Sequence, residues 1–281
     1  MNRSFYLLFL AVPILAVLSL SNFCQTQGDH SKVTSEEQLK EDVSSGPCKN
    51  KERLEAAKKL FQKMGATESD IQIEKYGDLQ NLVLTKQGKS TETIIVGAHY
   101  DKVSDGCGTI DNWSGIVILA HLFRALGQVD MQKTYKFIAF DSEESGLLGS
   151  KAMVKKMPKE SRASVCSMVN LDSFGLGAPF ILQNASSAKM TEMAKELGAE
   201  LKWHVNIASI PGADADSSSF VEKDIPAITI SGLTDKWQDY LHSSKDKIDN
   251  VIPASLTAGY SFTLLYLGRV DGKSCDAFRK K

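Results

Sequence analysis

The amino-acid sequence predicts an α/β protein: a single domain with a mixed, mostly parallel β-sheet flanked by helices on both faces. Three observations predict it. Short continuous apolar runs, such as residues 93–98 and 165–171, have the length and composition of strands buried on both faces. Between and after them lie stretches with apolar residues at helical spacing, such as 114–126. The two kinds alternate with no internal repeat or low-complexity linker, and such alternation builds a parallel or mixed sheet covered on both sides.

The elements follow in order. Leu54, Ala57, Leu60 and Phe61 recur at helical spacing and Gly65 ends the pattern, which predicts an amphipathic helix over 50–64. Strands are expected at 81–84, 93–98, 135–140, 165–171, 180–182 and 227–230. Helices are expected at 114–126, 147–156, 189–197 and 256–267. With 281 residues, 42% hydrophobic and 24% charged, the chain can bury one sizeable core. The net charge of -1 supplies no field that would steer it to nucleic acid. Nothing in the sequence sets an oligomeric state.

The beginning of the chain reads as a targeting segment. Met1-Asn2-Arg3-Ser4 is a basic head, residues 5–20 are apolar, and Ser21-Asn22 is polar, the pattern of a signal peptide over 1–21. A retained anchor competes, since the run falls just short of the ~18 residues that span a bilayer. Pro13 and the small-residue pattern Ser19-Leu20-Ser21 favour cleavage, which would leave no stable membrane span. Cys24 raises lipid attachment as a minority alternative, although Ser21-Asn22-Phe23 matches a lipoprotein signal poorly. A polar leader over 22–34, expected to be disordered, then precedes a domain over 35–281, and the protein is expected to be exported, secreted or periplasmic. Five cysteines remain after such cleavage, an odd number; the expected pair is Cys48 with Cys275, and Cys107 reads as a loop thiol or disulfide partner rather than a metal ligand.

In open α/β sheets ligands bind beyond the carboxyl ends of the strands, so polar residues placed just after apolar runs carry most weight. Ile94-Ile95-Val96-Gly97-Ala98 delivers His99 and, two residues on, Asp101. A ligating imidazole usually gives its other ring nitrogen to an acceptor, and Asp101 is the candidate for that supporting role. Asp111 stands just before an apolar helix and has two readings, a helix N-cap or a carboxylate able to bridge two cations. Phe137-Ile138-Ala139-Phe140 runs into the adjacent acids Glu143 and Glu144, one able to bind metal while the other moves a proton. Asp172 after 165–171, and His242, each add one more donor. Two imidazoles and three carboxylates besides Glu143 suit a pair of zinc ions if one carboxylate is shared.

With these pieces assembled, the chain resembles the co-catalytic zinc aminopeptidases of the M28 type over 53–268. The resemblance is carried by His99-Tyr100-Asp101, Asp111-Asn112-x-Ser114-Gly115, Glu143-Glu144-x-Gly146-Leu147-x-Gly149-Ser150, Asn170-Leu171-Asp172 and His242-x-x-x-Asp246, in that order. It implies the phosphorylase/hydrolase-like fold of zinc peptidases and two Zn2+ per chain. One zinc would be bound by His99 and Asp172, the other by Glu144 and His242, with Asp111 bridging them. Glu143 would be the general base, and the substrate a peptide that loses its N-terminal residue. The family also places substrate-lining residues near Asp216 and Tyr240, though Asp216 reads first as a helix cap. Two alternatives stay open: a glutaminyl-peptide cyclotransferase of the same fold with one zinc, and a non-catalytic binding ectodomain. His121, inside an apolar helix, and His204 read as ordinary structural residues.

Overall fold

The computed structural model describes residues 34–279. The expected signal, almost all of the polar leader, and Cys24 lie outside them. Eight strands form one sheet in the order β1-β2-β4-β3-β5-β8-β6-β7. They are β1 (Ile71–Tyr76), β2 (Leu79–Lys86), β3 (Thr93–His99), β4 (Thr134–Phe140), β5 (Val165–Leu171), β6 (Phe180–Leu182), β7 (Asn206–Ala208) and β8 (Ala227–Ser231). The centre, β4-β3-β5-β8, is parallel, while β1, β2 and β6 join antiparallel neighbours, so the sheet is mixed as the sequence predicts.

The helices are α1 (Glu36–Ser44), α2 (Asn50–Lys63), α3 (Ser114–Leu126), α4 (Leu148–Lys156), α5 (Lys159–Ser164), α6 (Ala188–Leu201), α7 (Asp216–Val221) and α8 (Pro253–Asp271). Successive strand residues face opposite sides, and this sorts them into two cores. Ile94, Val96 and Ala98 of β3 join Val169 and Leu171 of β5 in the larger core, with residues of α1, α2, α3, α6 and α8. Ile95 and Met168 face the other way, toward Met153, Val154 and Phe220 of α4 and α7. β3 and β5 are buried along their whole length, the reason both read as unbroken apolar runs.

Because β3, β4 and β5 run parallel, His99, the segment after Phe140, and Asp172 leave the sheet at one edge. That shared edge brings together residues separated by more than seventy positions in the chain.

Several elements were not expected from the sequence. α1 carries only Leu39 and Val43 as buried apolar residues among charged ones, and its start is fixed by a capping box between Ser35 and Gln38. β1 is an edge strand whose apolar residues are half-buried, too weak a pattern to announce itself. α5 is a six-residue turn of helix with no buried residue.

The disulfides correct the expected pairing. Cys48 bonds Cys107 and Cys166 bonds Cys275. Cys48, just ahead of α2, lies beside the loop that leads to Asp111 at the carboxyl edge. Cys275 follows α8, which carries it to Cys166 at the opposite end of β5. Cys48 and Cys275 are therefore at opposite ends of the sheet, and a disulfide needs Cα atoms within about 7 Å. His121 is buried between Thr34, at 3.0 Å, and Asp42, at 2.9 Å, and so joins α3 to α1. No helix among the described residues is long and apolar enough to cross a membrane.

Candidate metal centre

The site is assembled from loops at the carboxyl edge. β3 ends on His99, whose Nε2 faces inward and whose Nδ1 faces Asp101, 3.4 Å from its Oδ1. The Asp101 carboxylate also accepts the backbone N–H groups of Glu143, at 2.9 Å, and Glu144, at 3.1 Å. One buried acid thus orients the imidazole and fixes the two-acid loop after β4.

Asp111 lies in the irregular turn Thr109–Trp113, where its own backbone is not helical and the Asp111–Asn112 peptide is cis. Its carboxylate does not cap α3. Asn112 serves that end instead, its Oδ1 accepting from Gly115 N–H at 3.0 Å. Asp111 is left to face two histidines: Oδ1 is 3.2 Å from His99 Nε2 and Oδ2 is 3.1 Å from His242 Nε2. Of the two readings open in the sequence, the cap falls to Asn112, and Asp111 faces both imidazoles.

The remaining donors flank this axis. Glu144 Oε2 is 3.1 Å from His242 Nε2, and Asp172 Oδ1 is 3.6 Å from His99 Nε2. Glu143 Oε2 stands slightly further out, 3.9 Å from His99 Nε2. His242 holds a left-handed backbone and its side chain is 57% exposed, so this arm faces the solvent while His99 forms the floor. Glu144 Oε1 is buried with no partner among the described residues, an orphan acceptor that a cation would satisfy.

Two residues lock the arms together. The Asp246 carboxylate accepts N–H groups of Ile110, at 2.6 Å, and Asp111, at 3.1 Å, tying the His242 loop to the Asp111 turn. Asn112 donates from Nδ2 to Leu171 O at 2.8 Å and accepts from Ser173 N–H at 3.1 Å, tying the same turn to the end of β5. Both positions fall inside the quoted motifs, yet these linking roles need the fold to be seen.

The electrostatics are those of a site short of positive charge. Five acids surround two imidazoles: Asp101, Asp111, Glu143, Glu144 and Asp172 around His99 and His242. Burial pulls the His99 imidazole down, but Glu143, Asp101, Asp111 and Asp172 outweigh it and raise His99 well above its ordinary value. Asp111 and then Glu144 push His242 up to about 10. Burial drives the Glu143 carboxyl well above the usual range, with Asp172, Asp216 and Asp111 adding and His99 opposing.

The donor set fits zinc. With bonds of about 2.0–2.1 Å, neighbouring ligands of a tetrahedral zinc lie about 3.3 Å apart, and the His–carboxylate separations here run from 3.1 to 3.6 Å. Here the donor atoms close enough together for one ion are those of His99 with Glu143 and Asp172, and of His99 with Asp111 and Glu144; His242 adds an imidazole 3.1 Å from both Asp111 and Glu144.

Asp216 corrects an expectation. It is the first residue of α7, capped by Ala215 without a side-chain bond, and its carboxylate is wholly buried with neither oxygen hydrogen-bonded among the described residues. Burial, then Asp101 and Asp172, pushes it up to about 7. It therefore does not act as a helix cap and lies within electrostatic reach of the centre. Tyr240, two residues before His242, packs on an apolar cluster of Ile110, Leu176 and Leu233. His204 is exposed and 2.8 Å from Asn206, away from the centre.

Fold and site define a class: an α/β protein whose strand ends present a mixed imidazole and carboxylate set of the kind that hydrolytic metals bind. The particular family is Peptidase family M28, whose profile matches residues 81–267, and the chain belongs to it. It is 28% identical over 195 residues to a probable leucine aminopeptidase of Arthroderma otae, covering 61% of this chain and 51% of that protein. Among solved structures, a zinc aminopeptidase from Bacillus subtilis superposes with a TM-score of 0.62 at 21% identity, over 72% of this chain and 53% of that one. A glutaminyl cyclase from an Acidobacteriales bacterium superposes with a TM-score of 0.71 at 15% identity, over 85% and 94% respectively. At such identities the structural likeness speaks for the fold. The chain spans about half the length of the curated relatives it matches first.

Proposed function

We propose that the protein is an exported zinc peptidase that binds two zinc ions and releases N-terminal amino acids from peptides. The observation that carries this reading is the Asp111 carboxylate, with one oxygen 3.2 Å from His99 and the other 3.1 Å from His242. His99, Asp111 and Asp172 would hold one ion and His242, Asp111 and Glu144 the other. When bound, such a pair supplies Lewis-acid polarisation of the scissile carbonyl and makes water a competent nucleophile near neutral pH.

The chain's own groups supply the rest. Glu143 takes the proton of the attacking water at its carboxylate and delivers it to the leaving nitrogen, a service usually worth about 10²–10⁴ in rate. Asp101 keeps Glu143 and Glu144 at fixed distance from His99 through the two backbone bonds it accepts. The apolar cluster around Tyr240, with Trp237 and Leu241 beside it, supports an apolar side chain on the residue released. The name of the Arthroderma relative agrees with that preference. Two disulfides among the described residues support an oxidising compartment, and with it the reading of 1–21 as an export signal and 35–281 as the catalytic domain.

The test compares leucine amide with N-acetyl-leucine amide. Hydrolysis of the free amine and not of the blocked one is the expected result, and equal rates on both would remove the aminopeptidase assignment. The cyclase reading draws on a likeness that covers 94% of that enzyme. It predicts instead that glutamine amides are cyclised with loss of ammonia and that leucine amide is left intact. A binding ectodomain would turn over neither.

A further inference from the structure

We infer that Arg53 is a positioning residue of the metal centre, its guanidinium setting the spacing between the turn after His99 and the loop that delivers Asp111. This inference rests on the zinc reading above.

Arg53 sits on α2, and its side chain is wholly buried. Fully buried arginines are uncommon, and their donors must be matched or the burial is costly. Among the described residues, every hydrogen bond of the guanidinium goes to a backbone carbonyl. Nε donates to Tyr100 O, Nη1 to Cys107 O at 3.0 Å and to Pro47 O at 3.3 Å, and Nη2 to Gly108 O at 3.0 Å. The Trp113 ring lies 5.4 Å from the guanidinium carbon. Tyr100 stands between His99 and Asp101. Cys107 and Gly108 stand just before Asp111.

The loop is pressed against the guanidinium. Gly108 has a left-handed backbone with φ of 59°, and a Cβ there would collide with Lys102, the Asp111 carbonyl and Arg53 Nη1. Two further ties hold the same region to the start of α2. The Cys48–Cys107 disulfide is one. Asn50 is the other, donating from Nδ2 to Lys102 O at 2.8 Å and accepting Lys102 N–H at 2.9 Å. Each of these reaches a single point of the segment between β3 and Asp111, whereas Arg53 bonds both ends of it at once. Removal of the guanidinium should therefore leave the loop attached and the chain folded, while the distance from His99 to Asp111 loosens.

Lysine cannot replace it. An ammonium is a compact donor without the rigid planar fork that spans four carbonyls on three segments. Loss of groups that orient ligands typically weakens metal binding by about 10–100-fold.

The experiment measures zinc affinity by competition with a chromophoric chelator on the full chain, for native protein, Arg53→Lys, Arg53→Met and Lys133→Met. Lys133 is a second buried cation bonded to carbonyls, with Nζ 2.8 Å from Asp271 O and 2.6 Å from Lys273 O, and it belongs to a different part of the fold. Lys133→Met and Arg53→Met should both lower the melting temperature of the zinc-free protein. Zinc affinity should be weakened about 10–100-fold in the two Arg53 variants and unchanged in Lys133→Met. Arg53→Lys decides the matter if Arg53→Met does not fold. Arg53 variants that bind zinc within about twofold of native protein, or a Lys133→Met that loses as much affinity, would overturn the positioning role. Native protein that takes up no zinc would overturn the zinc reading itself, a result distinct from normal uptake by every variant.

Discussion

Glutamine in place of Glu143 is expected to lower the turnover of aminoacyl amides by about 10²–10⁴-fold, or roughly 3–5 kcal/mol of barrier, with zinc content unchanged. The substitution keeps size and shape and removes only the capacity to accept a proton. Its backbone N–H remains held by Asp101 at 2.9 Å, so the loop that also presents Glu144 stays in place. Distance alone separates Glu143 from the proposed ligands only slightly, 3.9 Å from His99 Nε2 against 3.6 Å for Asp172. The zinc measurement is therefore the part that discriminates. Full activity in the variant would remove Glu143 as the base, and loss of zinc would make it a ligand.

Alanine at Asp111 should have the other large effect, an amidase rate reduced to that of the solution without enzyme and the loss of at least one zinc. Both imidazoles meet on this single carboxylate, one at each oxygen. On the two-zinc reading its removal takes a donor from each proposed metal position at once. The backbone around it should survive, because Asp246 and Asn112 hold the turn through bonds that do not involve the Asp111 side chain, one of them to its backbone N–H. Unchanged zinc stoichiometry in Asp111→Ala would exclude a bridging role, whatever happened to the rate.

What could be read from sequence followed burial. β3 and β5, buried on both faces, are unbroken apolar runs, and the residues that end or follow them were visible as site candidates for that reason. Edge and surface elements such as β1 and α1 gain their stability from contacts at half-buried positions, which leave a faint periodic signal. Asp111 illustrates a different limit. A carboxylate before a helix has a capping reading of equal local merit, and only the fold shows that Asn112 takes the cap while Asp111 turns to the histidines. Arg53 was invisible for a simpler reason. On an amphipathic helix an arginine next to Leu54 reads as part of the solvated face, and its burial depends on two distant loops closing over it. The disulfides failed as expectations on the same ground, since pairing depends on which end of the sheet each cysteine reaches.

The metal content of the site tests the two-zinc peptidase reading most directly. Titration of the metal-stripped protein with zinc, followed by hydrolysis of leucine amide, should show two equivalents bound per chain and activity that returns as they bind. Saturation at a single equivalent, with glutamine amides cyclised and leucine amide untouched, would contradict it.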